Sequence, residues 1–118
     1  MIWRKLKEHK MGGMVPPFLM AAMILKLLSE KPMHGYQIAE EISKMLEKEV
    51  PRPVIYFALK KLEKDGFLTF KWEMQEKGPA RKIYYITEEG EELLKLKMEL
   101  LKKFYNLLGK LLGEENSG

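Results

Sequence analysis

Residues 55–66 read IYFALKKLEKDG, and residues 68–86 continue as LTFKWEMQEKGPARKIYYI. In the first stretch, apolar side chains recur with the 3.6-residue period of a helix that packs one face on a core. The residues of this core stripe are Ile55, Ala58, Leu59 and Leu62. From residue 68 onward the period changes to two, since apolar and polar residues alternate as far as Met74. This alternation is typical of a half-buried strand.

A turn signal follows each of these two elements. Asp65-Gly66 ends the helix, because glycine readily takes the left-handed conformation that closes a helix. Lys77-Gly78-Pro79 interrupts the strand, since proline cannot continue a ladder of backbone hydrogen bonds. Residues 82–86, KIYYI, are rich in aromatic and β-branched residues and make a returning strand. The sequence therefore predicts a helix followed by a β-hairpin.

Two further helices are predicted before this unit. The first begins near Pro17 and is apolar on nearly every side, as a buried central helix is, until Lys31-Pro32 stops it. The second follows the His34-Gly35 turn, and a stiff connector, Val50-Pro51-Arg52-Pro53, separates it from the third. The order of three helices and a hairpin is that of a winged helix-turn-helix domain.

A long final helix follows the hairpin. Thr87 is its expected N-cap, and the helix continues to about Leu112, roughly 35 Å at 1.5 Å per residue. Its apolar stripe is wider than the rest of so short a chain can cover, so we expect it to pair with a second copy. The expected dimerisation residues are Leu94, Met98, Leu101, Phe104, Tyr105, Leu108 and Leu112.

The predicted fold is mainly α with a small β-hairpin wing, extended by a C-terminal dimerisation helix. Four regions are expected: an amphipathic arm (1–15), a winged helix DNA-binding domain (16–87), the dimerisation helix (88–112) and a disordered tail (113–118).

The positive charge of the chain is concentrated in one region. Eight basic and four acidic residues lie between Pro51 and Lys82, an excess of four that equals the net charge of the whole chain. A local basic excess is what a phosphate-facing surface requires, and a lysine-rich solvated face is an equally good interpretation. Cysteine is absent, and no apolar run is long enough to cross a bilayer. We expect a cytoplasmic protein without membrane contact. Abundant Lys and Glu with few Asn and Gln suggest a thermophile.

Several motifs of the sequence resemble the PadR family of bacterial and archaeal transcriptional regulators. They are PMHGY (32–36), IYFALKKLEKDG (55–66) and GPARKIYYITEEG (78–90), and the resemblance covers about residues 18–90. It departs from the family at Pro53 and Val54, which hold the places of a Gly and a Ser or Thr. The resemblance implies a dimeric repressor whose third helix enters the major groove of DNA and whose wing reaches phosphates or the minor groove. In some members, a phenolic acid or another aromatic molecule releases the DNA.

The expected DNA contacts are spread over both helices of the helix-turn-helix and over the wing. Arg52 is the best candidate for a guanine contact, since arginine binds guanine in a bidentate manner. The lysines can bind phosphates, and ordinary surface or packing roles stay open for each residue. The full set is Tyr36, Gln37, Arg52, Tyr56, Lys60, Lys61, Lys64, Lys77, Arg81 and Lys82.

A pocket that adapts its shape to an effector molecule is the last site that the sequence suggests. Nine methionines and two tryptophans could line it, although helically spaced Met is more often core. The residues to inspect first are Trp3, Trp72, Met98 and Phe104. No group of catalytic, cofactor-binding or metal-binding residues is visible in the sequence. The one other histidine, His9, is far from His34 in the chain. The expected function is a DNA-binding regulator, with a winged-helix protein-interaction module as the alternative. A membrane-surface role for the final helix ranks last.

Overall fold

The computed structural model of the protein describes Ile2 and residues 15–114. The predicted arm, apart from Ile2 and Val15, lies outside the described residues, and so do Trp3 and residues 115–118 of the predicted tail. Seven elements follow one another in residues 15–114: α1 (Pro17–Glu30), β1 (Met33–His34), α2 (Gly35–Leu46), α3 (Arg52–Lys64), β2 (Leu68–Glu73), β3 (Arg81–Ile86) and α4 (Glu88–Leu111). This order confirms the predicted fold class.

The helices begin and end at residues suited to those positions. Pro17 opens α1 and Pro53 lies in the first turn of α3, where the missing N–H of proline costs no hydrogen bond. The turn after α3 contains Gly66 at φ +84°, a conformation that glycine adopts without strain. Thr87 caps α4, since its hydroxyl accepts a hydrogen bond from the Gly90 N–H at 3.0 Å.

The sheet has one strand more than the predicted hairpin. Its order is β1-β3-β2, and both pairs are antiparallel. Met33 pairs with Tyr84 and His34 with Ile83, so His34 belongs to a strand as well as preceding α2. A strand of two residues shows no alternation, and for this reason the sequence pattern did not reveal it.

The core lies where α1, α2 and α3 meet. Its fully buried side chains are Ile24, Leu25, Ile38, Ile42, Ile55 and Leu59. The predicted stripe of α3 is confirmed, with Ile55, Leu59 and Leu62 buried and Ala58 half-buried. Burying six aliphatic side chains contributes about 1.5–3 kcal/mol each to folding before entropy is subtracted.

The apolar side of β2 is buried only at its first end. Leu68 is buried and Phe70 half-buried, whereas Trp72 is 61% exposed and Met74, the residue after the strand, is 81% exposed. The expectation of a strand half-buried along its whole length is therefore wrong at the wing, because the tip of the hairpin extends away from the core. Among the described helices, none combines the length and apolarity that crossing a bilayer requires.

Candidate nucleic-acid interface

The outward face of α3 carries the largest group of predicted contacts. Tyr56, Lys60, Lys61 and Lys64 are all exposed, opposite the buried stripe of the same helix. Within the described residues, the only one of these lysines in an ion pair is Lys61, whose Nζ lies 3.8 Å from Asp65 Oδ2. The ammonium groups of the other two are available to a phosphate, which lysine binds as a point charge.

Arg52 is the first residue of α3, between Pro51 and Pro53. Its guanidinium carbon lies 4.6 Å from the centroid of the Tyr36 ring, within the range of a cation–π contact. The hydrogen bond between the Tyr36 hydroxyl and Glu40 raises the pKa of Tyr36, and the negative charge of Glu40 raises it further. Tyr36 therefore connects α2 to the beginning of α3, and it orients the arginine expected to contact a base.

Tyr56 packs against the first turn of α2. A Cβ atom added to Gly35 would lie only 2.5 Å from Tyr56 Cε1, so the close approach of this ring requires glycine. The side chain is nevertheless 41% exposed. Both interpretations offered by the sequence, packing and phosphate contact, are thus compatible with its position.

Gln37 has a structural role at the start of α2. It is half-buried, and its Oε1 accepts a hydrogen bond from the His34 backbone N–H at 3.2 Å. This bond satisfies one of the backbone donors that a helix leaves unpaired at its N-terminus. Only the Nε2 amide of Gln37 is then left for a phosphate.

Two of the three basic residues predicted on the wing are held by acidic partners. Arg81 Nη2 lies 2.8 Å from Glu73 Oε1 on the neighbouring strand. Lys82 Nζ lies 3.4 Å from Glu63 Oε1 of α3 and 4.0 Å from the centroid of the Phe70 ring. Lys77 is exposed in the turn, beside Gly78 at φ +93°. Of the predicted wing cations, Lys77 is the one most available to DNA.

An open cleft of about 540 Å³ separates the start of α2, the middle of α3 and β3. It brings together five of the ten predicted contact residues: Tyr36, Tyr56, Lys60, Arg81 and Lys82. The other five do not line it: Gln37, Arg52, Lys61, Lys64 and Lys77. Arg81 and Lys82 have carboxylate partners in Glu73 and Glu63, so among the described residues Lys60 supplies the positive charge that suits this cleft to an anion.

Sequence reasoning missed three residues of this region. Glu63 and Tyr84 line the cleft, and Glu40 accepts the Tyr36 hydroxyl hydrogen bond. Burial is the first cause that raises the pKa of Tyr84, followed by the charge of Glu63. The i,i+4 spacing of Tyr36 and Glu40 was visible in the sequence and could have indicated their contact. The contacts of Glu63 and Tyr84 join segments far apart in the chain, and no local pattern indicates them.

The C-terminal half of α4 exposes an apolar face. Leu94, Met98 and Leu101 are half-buried, whereas the predicted dimerisation residues beyond them are exposed by 50–73%: Phe104, Tyr105, Leu108 and Leu112. The neighbouring Leu107 and Leu111 are exposed as well, by 48% and 73%. Such a continuous apolar surface is unusual on a monomer.

Three of the predicted effector residues, Trp72, Met98 and Phe104, lie within the described part of the chain. Trp72 lies on β2, in an edge-to-face contact with Phe70 at 5.8 Å between ring centroids. Met98 and Phe104 lie on α4, and none of the three lines the cleft described above. Within the described residues, no group of three or more His, Cys, Asp or Glu side chains is placed to hold a metal ion.

Residues 24–96, more than half of the chain, match the family model of the transcriptional regulator PadR-like family. Among the solved structures similar to this one are proteins of Streptococcus mutans, Bacillus cereus and Bacillus subtilis. A Streptococcus mutans protein is 28% identical with a TM-score of 0.75, and the match covers 92% of this chain and 100% of that one.

A PadR-like transcriptional regulator of Bacillus cereus is 25% identical with a TM-score of 0.70, covering 80% of this chain and 92% of that one. Bacillus subtilis PadR, solved in complex with operator DNA, is 25% identical with a TM-score of 0.62. That match covers 75% of this chain and 58% of PadR.

Proposed function

The chain belongs to the transcriptional regulator PadR-like family, and we propose that it acts in the cytoplasm as a homodimeric regulator that binds specific sequences of double-stranded DNA. Residues 16–87 are the DNA-binding domain in this proposal, and residues 88–112 are the dimerisation helix. The observation that carries the proposal is the outward face of α3, where Lys60 and Lys64 are exposed and have no acidic partner among the described residues.

In the proposed complex, α3 enters the major groove. Arg52, held by Tyr36, donates two hydrogen bonds to a guanine edge, which fixes the sequence that is recognised. Lys60, Lys64 and the Tyr56 hydroxyl bind phosphates on either side, and these contacts position the helix without reading the sequence. Lys77 reaches the backbone beyond. The similarity to Bacillus subtilis PadR, which was solved with operator DNA, supports this arrangement.

The proposal of a homodimer rests on α4. Side chains such as Phe104, Tyr105 and Leu108 are exposed on a helix that continues well beyond the core of its own chain. A second copy that packs on the same face would bury these residues symmetrically, as two-fold homodimers do. The two copies of α3 would then read two related half-sites.

We further propose that the bound dimer represses transcription and that a small hydrophobic or aromatic molecule releases it. Membership of the family supports a role in regulating transcription. The resemblance of the sequence motifs to those of the family supports repression rather than activation.

A protein-interaction module is the alternative function, and one observation favours it. Phe57 is 73% and Val54 47% exposed on the same face of α3 that carries the lysines. Apolar side chains of this size are also typical of a surface that contacts a protein partner. Both residues can instead contact thymine methyl groups in the major groove.

Fluorescence anisotropy on labelled duplexes separates the two functions. One duplex comes from the region upstream of the gene for this protein, a second is its scrambled counterpart, and the salt concentration is varied. A DNA regulator binds the first duplex more tightly, and its affinity falls steeply as salt rises because bound counterions are released. An absence of binding to either duplex at low salt would favour the protein-interaction module.

A further inference from the structure

A second concave surface lies between α1, α3 and the first turns of α4. It encloses about 350 Å³, and its walls are mainly apolar, with Lys61, Asp65 and Lys97 as the charged lining residues. Characteristic lining residues are Phe18 and Ala21 of α1, Phe57 and Ala58 of α3, and Leu93 and Lys97 of α4. We call this surface the α1–α3–α4 groove. Its volume is within the range of small-molecule sites in proteins, about 300–1,000 Å³.

One cation lies in this groove without a carboxylate partner. Lys97 Nζ lies 4.0 Å from the centroid of the Phe18 ring. No carboxylate of the described residues lies within 4.0 Å of it, although the exposed Lys61 at the rim has Asp65 as partner. Burial lowers the pKa of Lys97. An ammonium group against apolar walls, without a counterion, is costly, and a bound anion would reduce that cost.

We propose that the α1–α3–α4 groove binds an amphipathic monocarboxylate of the medium-chain fatty acid type, with the carboxylate on Lys97 and the apolar chain against Phe18, Ala21 and Ala58. The chemical class of the ligand follows from the side chains that line the groove. Lys97 is half-buried and is the one lining cation without a carboxylate partner among the described residues, so it selects one negative charge, and the apolar lining selects a body without further polar groups. Neither Trp72, Met98 nor Phe104 lines this groove, so the site differs from the one suggested by the sequence.

The effect of the ligand on DNA affinity rests on the DNA-binding function proposed above. Residues of α3 form one wall of the groove, and Lys61 belongs both to this rim and to the predicted DNA contacts. A carboxylate bound here adds negative charge next to the face that meets phosphates. The ligand therefore weakens DNA binding, and DNA must weaken ligand binding by the same factor.

Isothermal titration calorimetry without DNA tests the site itself. The probe is decanoate below its micelle concentration, with butyrate and decyltrimethylammonium as comparisons for chain length and for charge. We expect decanoate to bind and both comparisons to bind at least about tenfold more weakly, since the salt bridge and the apolar contact are both needed. Equal binding of decanoate and decyltrimethylammonium would overturn the proposal, and so would no binding at all.

Three variants locate the binding. Lys97→Met removes the charge and keeps an apolar stem, and Ala21→Leu narrows the groove without touching the charge. Each should weaken decanoate binding by about tenfold. Lys95→Met is the matched control, because Lys95 is exposed on the same helix and does not line the groove, and it should bind as the parent does. Unchanged affinity in Lys97→Met would overturn the proposal, and circular dichroism verifies that each variant is folded.

A DNA titration with decanoate then tests the coupling. Decanoate should lower the DNA affinity of the parent and of Lys95→Met, and leave that of Lys97→Met unchanged. If the protein binds no DNA, the proposed function fails while calorimetry still decides the groove. If DNA binds with a steep salt dependence and decanoate does not bind, the groove proposal alone is overturned.

Discussion

The guanidinium of Arg52 stacks on the ring of Tyr36, with 4.6 Å between the guanidinium carbon and the ring centroid. An arginine held in this way has already lost part of its rotational freedom, so less entropy is lost when it binds a base. We predict that Arg52→Lys keeps the charge but loses the bidentate contact and the stack. Discrimination between the upstream and scrambled duplexes should fall by about tenfold to a hundredfold, equivalent to about 1–3 kcal/mol.

The Tyr36 variants form the control for this prediction. Tyr36→Phe retains the ring face and should retain most of the discrimination, whereas Tyr36→Leu removes the face and should lose it. Anisotropy on both duplexes measures each variant. An equal loss of affinity on the two duplexes would show that Arg52 contacts only phosphates.

The exposed lysines of α3 are predicted to supply affinity without supplying stability. In Lys60→Glu combined with Lys64→Glu, two attractive contacts to phosphate become repulsive, so DNA binding should be abolished at moderate salt. The melting temperature should hardly change, since both side chains are exposed and neither forms an ion pair within the described residues. Lys26→Glu with Lys31→Glu makes the same change of charge at the C-terminal end of α1, where Lys31 is the residue after the helix, and should retain binding. Retained binding in the α3 variant would move the interface elsewhere.

The apolar face of α4 is predicted to hold the dimer together. Leu101→Glu combined with Leu108→Glu places two carboxylates where two copies would pack, and burying an unpaired charge costs several kcal/mol. Light scattering after size exclusion should give the parent twice the 13.9 kDa mass of the chain and the variant a single chain mass. Leu101→Met with Leu108→Met, which preserves apolar volume, should stay dimeric. An unchanged mass in the Glu variant means that the interface lies on another surface.

Gly90 is predicted to resist replacement even though it lies in a helix. A Cβ atom there would meet the backbone carbonyl oxygen of Phe67 and would lie 2.7 Å from Ile86 Cγ1. Backbone cannot move aside as a side chain can, so Gly90→Ala should destabilise the fold by about 1–3 kcal/mol despite the better helix propensity of alanine. Urea denaturation measures the difference. Lys95→Ala, on the exposed side of the same helix, should be nearly neutral, and a neutral Gly90→Ala would contradict the close approach.

Lys97 is predicted to make stability depend on pH. Because burial lowers the pKa of Lys97 below its ordinary value of 10.5, the unfolded chain binds more protons than the folded chain just below that pH. The free energy of unfolding therefore rises as the pH increases towards 10.5. Below the pKa that Lys97 has in the folded chain, the full destabilisation caused by burying its charged form is present. Lys97→Met should melt at a higher temperature than the parent at pH 7, and the gap should narrow as the pH approaches 10.5. A difference in melting temperature that does not change with pH would show that it arises from packing alone.

The sequence was sufficient for those features that depend on local order. The stripe of α3, the Gly66 turn and the Thr87 cap each leave a signal within a few residues, and each is confirmed. Contacts between distant segments leave none. The partners of Lys82 are an example, because Glu63 precedes it by 19 residues and the two meet only when the hairpin folds against α3. The short strand β1 was missed for a related reason, since its identity depends on pairing with β3.

The contact of Lys82 with Glu63 has a mechanical consequence. It joins the outer half of the hairpin, where Lys82 pairs with Trp72, to α3, so that the two elements proposed to contact DNA are held to each other. In the proposed complex the protein sets the spacing between α3 and the hairpin, and the duplex adapts to that spacing. Base pairs that no side chain touches would then be selected by how easily they bend, and specificity would extend beyond the contacted bases.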